Sequence, residues 1–148
     1  MDATADARFT PPPGWELADD RPTGVESVAL EPADPDHPGR FRSNLVLTSS
    51  TTGGLSFSDW QNGTDELLPR MLDDYLLVDL ERLVVDAHAG GRRLAHHAGP
   101  GGQALTMEQW FTQIDDVGYT LTATVETYRY DALAEVLAAT AASWRPGT

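Results

Sequence analysis

The strongest constraint on the fold is a pair of alternating stretches near the end of the chain, residues 104–114 and 119–128. In the second stretch apolar residues alternate with Thr120, Thr122 and Thr124, which is the period of a half-buried β-strand. The four residues between the stretches include two aspartates and a glycine, a composition typical of a hairpin turn. The sequence therefore predicts a long antiparallel hairpin as the centre of a sheet.

The pairing of this hairpin decides which side chains share a face of the sheet. If Ile114 opposes Tyr119, then Trp110 opposes Ala123, a large and small pair that suits a core. The other face then carries Met107, Gln109, Phe111, Gln113, Thr120, Thr122, Thr124 and Glu126. Because this second face mixes large apolar groups with amides and hydroxyls, it fits either a sheet face beneath a helix or an open groove.

Further strands are expected on both sides of a helix in the middle of the chain. Alternating patterns predict strands at Val25–Leu30, 41–49 and 79–87. Glycine pairs at Gly90-Gly91 and in 99–102 predict turns around another strand.

Two helices are predicted from apolar spacing. The first covers residues 64–77, after a separate helical turn that begins near Ser58 and is interrupted by Asn62-Gly63. Pro69 is then accommodated in the first turn of that helix. The second covers residues 131–144 and is capped by Asp131.

The order of these elements predicts an α+β fold, an antiparallel sheet flanked by helices as an α/β/α sandwich. A length of 148 residues corresponds to one domain. We expect a flexible segment at residues 1–12 and a single domain at residues 13–146.

The composition limits the kinds of partner and chemistry. With 23 acidic and 10 basic residues the net charge is −13, which disfavours nucleic acid and anionic membranes and favours a neutral or basic protein or peptide segment. The chain has no cysteine and no lysine, which excludes thiolate metal sites and Schiff-base chemistry. Short apolar runs and an acidic N-terminus without a leader pattern predict a cytoplasmic protein with no membrane span.

The residues that most resemble chemical sites have simpler explanations. His96 and His97 are neighbours in a predicted strand and therefore point to opposite faces, so no metal site is expected there. Under the pairing above, Glu108 and Glu126 also face opposite sides and do not form a carboxylate pair. The segment Gly54–Ser58 lacks the second glycine of a nucleophile elbow. We predict no catalytic residue, no metal and no cofactor.

Several short segments resemble a known family. They are Pro13-Gly14-Trp15, residues 41–46, the helix near Leu67, residues 90–94, residues 107–124 and Ala142-Ser143-Trp144. Together they resemble the PsbP-like fold shared with the Ran-binding Mog proteins, bacterial DcrB and the actinobacterial LpqN lipoproteins, and Eag-type chaperones of type VI secretion are similar. The resemblance implies an antiparallel sheet between helices, and a role in binding proteins or assisting secretion rather than in catalysis.

Two functions remain open at this point. The first is a non-catalytic protein- or peptide-binding module, chaperone-like or similar to a secretion adaptor, that uses the mixed face of the hairpin. Its predicted partner-binding residues are Met107, Phe111, Thr120, Thr122 and Thr124, with Trp60 at the rim. The alternative is an acid-dependent hydrolase whose site the sequence does not identify. A helix packed over Phe111 and Met107 would close the predicted binding surface.

Overall fold

The predicted antiparallel sheet is present, with seven strands in the part of the chain that the computed structural model describes, residues 8–146. The strands are β1 (Glu16–Leu17), β2 (Val25–Leu30), β3 (Asn44–Thr51), β4 (Asp73–Val85), β5 (His88–Ala98), β6 (Ala104–Ile114) and β7 (Val117–Glu126). The helices are α1 (Phe57–Met71) and α2 (Tyr130–Ser143), the latter preceded by a 3-10 turn at Thr127–Arg129. The order in the sheet is β1-β2-β3-β7-β6-β5-β4 and all neighbours are antiparallel, which confirms the α+β fold class.

The hairpin at the centre of the sheet pairs two residues away from the predicted register. Ile114 opposes Val117, so Trp110 lies opposite Leu121. The turn is tighter than expected because it uses only Asp115 and Asp116, and Asp115 has a positive φ of 54°. A shift of two residues keeps every side chain on its predicted face.

The main apolar core lies on the face of the sheet that carries Trp110, which we call the α2 face. Leu137 of α2 and Trp144, the residue that follows α2, pack there against Leu45, Leu121 and other inward-facing strand residues. This agrees with the predicted final helix, although α2 begins at Tyr130 and its N-cap position is Arg129 rather than Asp131.

The predicted flexible segment at residues 1–12 lies partly outside the described residues, which begin at Arg8. Within the described part, the side chain of Phe9 is buried in the core on the α2 face, and the backbone oxygen of Arg8 accepts a hydrogen bond from Arg145 N. The chain is therefore packed against the domain from Phe9 onward. Neither helix within residues 8–146 is long and apolar enough to cross a lipid bilayer.

Helix α1 corrects the predicted helix at residues 64–77. It begins after Ser56, whose Oγ accepts a hydrogen bond from the backbone N of Asp59 at 3.1 Å, and continues through Gly63 to Met71. Pro69 lies in its last turn instead of its first. Residues 72–77 are not helical because β4 begins there and pairs with β5. A short apolar run is compatible with both a helix and a strand, and here the pairing decides for the strand.

The turn between β4 and β5 also differs from the prediction. It lies at Asp86 and Ala87, both with positive φ, and not at Gly90-Gly91, which are paired residues inside β5. The hairpin is therefore longer than expected. Strand β4 forms one edge of the sheet, and residues 8–146 supply no strand on its outer side.

Candidate partner-binding surface

The predicted partner-binding face lies beneath α1. Only 2% of Phe111 and 4% of Met107 is exposed. The ring of Phe57 stacks on Phe111 with centroids 6.0 Å apart, and Trp60 meets Phe111 edge-on at 6.5 Å. The expectation that Phe111 and Met107 line an open groove is therefore corrected: α1 covers Phe111, and Met107 is buried as well, because burying these large apolar groups is favourable.

Trp60 holds α1 against this face of the sheet, which we call the α1 face. Its indole lies directly on Gly118 of β7, where any Cβ would collide with the ring. Trp60 is half-buried, and its place at the rim of a binding surface stays a prediction.

The threonine row is the more accessible part of the predicted set. Thr120, Thr122 and Thr124 are half-buried on the α1 face. The Oγ1 of Thr122 accepts a hydrogen bond from Gln109 Nε2 at 3.1 Å, which draws this threonine into the network beneath α1.

A buried arginine connects α1 to the sheet. Arg93 on β5 is 1% exposed, and its guanidinium donates to Asp65 Oδ1 at 2.6 Å and to Gln61 Oε1 at 2.8 Å, both on α1. It also donates to Gln109 Oε1 at 2.8 Å and lies 4.9 Å from the centroid of the Phe111 ring. The sequence reasoning missed this network. The available signal was the spacing of Gln61 and Asp65, four residues apart and so on one side of a helix.

A groove opens where α1 and β4 diverge. It has a volume of about 240 Å³, and Gly90 and Gly91 form its floor. Phe57, Leu80 and Phe111 contribute apolar walls, and Arg82 adds a charged side chain. Gly91 allows the ring of Phe111, which lines the groove, to lie against β5, since a Cβ on Gly91 would lie 2.6 Å from Phe111 Cε2. Phe111 therefore borders a groove, although it presents almost no surface to solvent.

Most of the exposed large apolar side chains in residues 8–146 belong to β4 and the end of α1, and one of them, Leu80, lines the groove. We call them the β4 apolar surface: Leu67, Met71, Leu76, Leu77, Val78, Leu80 and Val84. Leu77, Leu80 and Val84 share the α1 face, whereas Leu76 lies on the α2 face. Several exposed apolar side chains along one edge strand are uncommon on a monomer surface and are typical of interaction sites. The sequence reasoning missed the surface because it placed Leu67 to Leu77 on one helix with a buried stripe.

The α2 face of the same edge carries a cluster of charges around Arg92. Its Nε donates to Glu108 Oε2 at 2.6 Å, while NH1 lies 3.1 Å from Asp79 Oδ2 and 3.4 Å from Glu81 Oε1. Burial is the largest influence on Arg92 and opposes its charged form, but the interactions with Glu108 and Tyr130 together outweigh burial and raise the pKa of the guanidinium. Glu108 is buried, and its Oε1 has no hydrogen-bond partner among the described residues. One positive charge thus faces three carboxylates.

The residues considered for chemistry do not converge on one site. His96 opposes Thr106 and His97 opposes Leu105, so the two rings lie on opposite faces, as predicted. Glu108 and Glu126 are likewise on opposite faces, paired with Ala123 and Leu105. Within residues 8–146 no three histidine, aspartate or glutamate side chains are grouped closely enough to hold a metal ion.

Comparison with solved structures defines the class of fold. The chain is similar to a protein of unknown function from Pseudomonas aeruginosa described as a putative regulator, with a TM-score of 0.73, 13% identity, and coverage of 90% of this chain and 98% of that one. It is also similar to LpqN of Mycobacterium tuberculosis, described as involved in cell envelope biogenesis, with a TM-score of 0.71, 15% identity and coverage of 90% and 78%. The PsbP protein of Synechocystis sp. PCC 6803 gives a TM-score of 0.64, 15% identity and coverage of 91% and 83%.

These similarities confirm the resemblance to the PsbP-like, Mog-like and LpqN fold family at the level of the fold. No family model matches the sequence, and no curated protein matches it.

Proposed function

We propose that this protein is a non-catalytic module that binds a segment of another protein, as a chaperone or secretion adaptor does, and that the β4 apolar surface receives the segment. The observation that supports this most directly is the outer edge of β4. An edge strand of 13 residues with exposed leucine and valine side chains has unpaired backbone groups beside apolar ones. Natural sheets normally avoid such an edge or cover it with a partner.

The charge of the molecule narrows the class of partner. A net charge of −13 repels acidic chains at long range and attracts neutral or basic ones. The partner is therefore a neutral or basic segment with apolar anchors. A cytoplasmic location stays a prediction from the sequence.

The test compares two lysine substitutions of equal exposure. Val78 on β4 is 50% exposed and Leu55, in the loop before α1, is 49% exposed. Peptides selected from a randomised display library on the immobilised protein are titrated against the wild type, Val78→Lys and Leu55→Lys. We expect Val78→Lys to weaken binding about tenfold or more, since loss of a central anchor costs about 2 kcal/mol, and Leu55→Lys to leave it unchanged.

The same titration can contradict the proposal. Peptides that bind all three proteins with equal Kd would place binding away from the β4 apolar surface. A selection that enriches no peptide would contradict the binding function itself.

A further inference from the structure

The regular part of strand β4 is the section from Asp79 to Val85. Over these seven residues the pairing with β5 runs without interruption. Two register shifts lie before it, between Asp73 and Leu76 and between Leu77 and Asp79. Because bulges bend and twist a strand, the outer edge can accept a regular strand only along Asp79–Val85.

The two faces of this section differ in chemistry. Leu80 opposes Arg93 and therefore lies on the α1 face, as do Arg82 and Val84, and Leu80 and Arg82 line the groove. Asp79 and Glu81 lie on the α2 face, where they share Arg92 with the buried Glu108. An added strand would thus meet Leu80, Arg82 and Val84 on the α1 face. On the α2 face it would meet the exposed carboxylates of Asp79 and Glu81, followed by Leu83 and the buried Val85.

We infer that the partner segment adds to β4 as an extended strand along Asp79–Val85, with apolar residues on the α1 face and basic residues on the α2 face. This inference rests on the proposed function and specifies its partner. In an antiparallel or parallel ladder the side chains of the added strand alternate between faces, so the matching sequence alternates apolar and basic residues. Its basic side chains supply the positive charge that Arg92 alone does not provide for three carboxylates.

A second copy of this chain fits the same edge less well. Two copies paired antiparallel in full overlap of Asp79–Val85 place Arg82 opposite Arg82. A shift of two residues towards Asp79 places Glu81 opposite Glu81. Like charges directly opposite each other destabilise a strand pair, so the electrostatics favour a different, basic chain.

The experiment uses three synthetic nine-residue peptides as probes. One alternates valine and lysine, one alternates valine and glutamate, and one has the valine–lysine composition in an order without alternation. Titration is followed by NMR together with amide hydrogen exchange of the whole protein. We expect the alternating valine–lysine peptide to bind at least tenfold more tightly than the other two and to protect alternate amides of Asp79–Val85.

A pair of charge-matched variants tests the acidic face. The double variant Asp79→Asn/Glu81→Gln should bind the valine–lysine peptide about fivefold more weakly, because solvent-exposed ion pairs each contribute little to affinity. The control, Asp19→Asn/Asp20→Asn, removes the same charge from the loop between β1 and β2 at the opposite edge of the sheet, and should leave the affinity unchanged.

The outcomes separate this inference from the proposed function. Peptides that are weakened by Val78→Lys but protect no amide in Asp79–Val85 would overturn strand addition and leave the binding function standing. Equal affinity for the lysine and glutamate peptides would overturn the charge assignment. Protection of the same amides in a concentration-dependent dimer without peptide would identify a second copy as the occupant and overturn the inference.

Discussion

Gly91 illustrates how one small residue shapes the α1 face. A Cβ at this position would lie 2.6 Å from Phe111 Cε2 and 3.1 Å from the backbone oxygen of Glu81. The ring of Phe111 can pack against β5 only because Gly91 has no side chain. The glycine thus permits a close approach between strands and does not form a turn, which is why the predicted turn at Gly90-Gly91 was wrong.

Replacing Gly91 by alanine should destabilise the protein by about 2 kcal/mol, in the range typical of overpacked cores. The matched control is Gly63→Ala on α1, where a Cβ would meet nothing within 4 Å. There alanine should stabilise by up to about 1 kcal/mol because it has the higher helix propensity. Urea unfolding of the three proteins gives the measurement, and equal midpoints for the two variants would contradict the steric explanation.

Residue-level prediction succeeded where the information is local. Alternation alone placed Trp110 and Phe111 on opposite faces, and the structure confirms it. The contact between Gly91 and Phe111 joins residues 20 positions apart, and no local pattern encodes it. For the same reason Phe111 was predicted to be accessible, although Phe57 and Trp60 cover it.

At the scale of elements, an ion pair joins the end of β2 to the start of α2. Arg129 donates to both carboxylate oxygens of Glu31, at 2.7 and 2.6 Å. These hydrogen bonds hold the pKa of Glu31 below its ordinary value. Because the folded-state pKa is lower than the unfolded one, the pair stabilises the protein above the unfolded pKa, and the contribution is lost as the pH falls through the folded pKa.

Glu31→Gln should therefore lower the free energy of unfolding by about 1–2 kcal/mol above about pH 5, where the unfolded carboxyl is ionised. The difference from the wild type should shrink as the medium becomes more acidic and vanish below the depressed pKa of Glu31. Denaturant unfolding over a series of pH values measures it. Glu16→Gln on the exposed end of β1 serves as the control and should change little. A difference that is independent of pH would contradict the role of ionised Glu31.

The element that the sequence predicted least well is the junction of α1 and β4. Leu72, Tyr75 and Leu76 fit a helical stripe as well as a strand, because short apolar runs are compatible with both. These residues form a strand because β5 pairs with β4 over nearly its whole length. The apolar spacing of residues 64–77 does not show that a strand later in the chain will pair with them. The predicted helix therefore extended to residue 77, and the exposed edge of β4 was not predicted.

For the whole molecule, the strand order implies an uneven distribution of stability. β7 and β6 lie at the centre between β3 and β5, and the core on the α2 face packs against them. β4 and β1 lie at the edges, each paired on one side only. Elements with more buried contacts open only by global unfolding, whereas edges open locally.

Native-state hydrogen exchange should reflect this order. We expect the slowest amides in β6 and β7, with rates set by the global free energy of unfolding, and faster exchange in β1 and along β4. Exchange measured residue by residue by NMR checks this. If the amides of β4 were as slow as those of β7 in the free protein, β4 would not be an open edge, and the proposed partner surface would fail with it.

The overall fold class was predictable because it depends on alternation and element order, which each segment carries in its own sequence. The strand order and the burial of the α1 face could not be predicted in this way. They depend on which strands pair and on the contacts by which Arg93 and Trp60 hold α1 against the sheet. The candidate site therefore lies at the edge formed by β4 and not on the hairpin face around Phe111, where the sequence placed it.

The bulges in β4 also bear on self-association into fibrils. An edge that ran regularly over all 13 residues of β4 would template the same segment from chain after chain, as cross-β fibrils do. The register shifts before Asp79 shorten the regular template to seven residues, and Arg82 lies in its middle, where stacked copies would bring like charges together. The edge can thus stay open for one foreign strand while the chain resists amyloid growth along it.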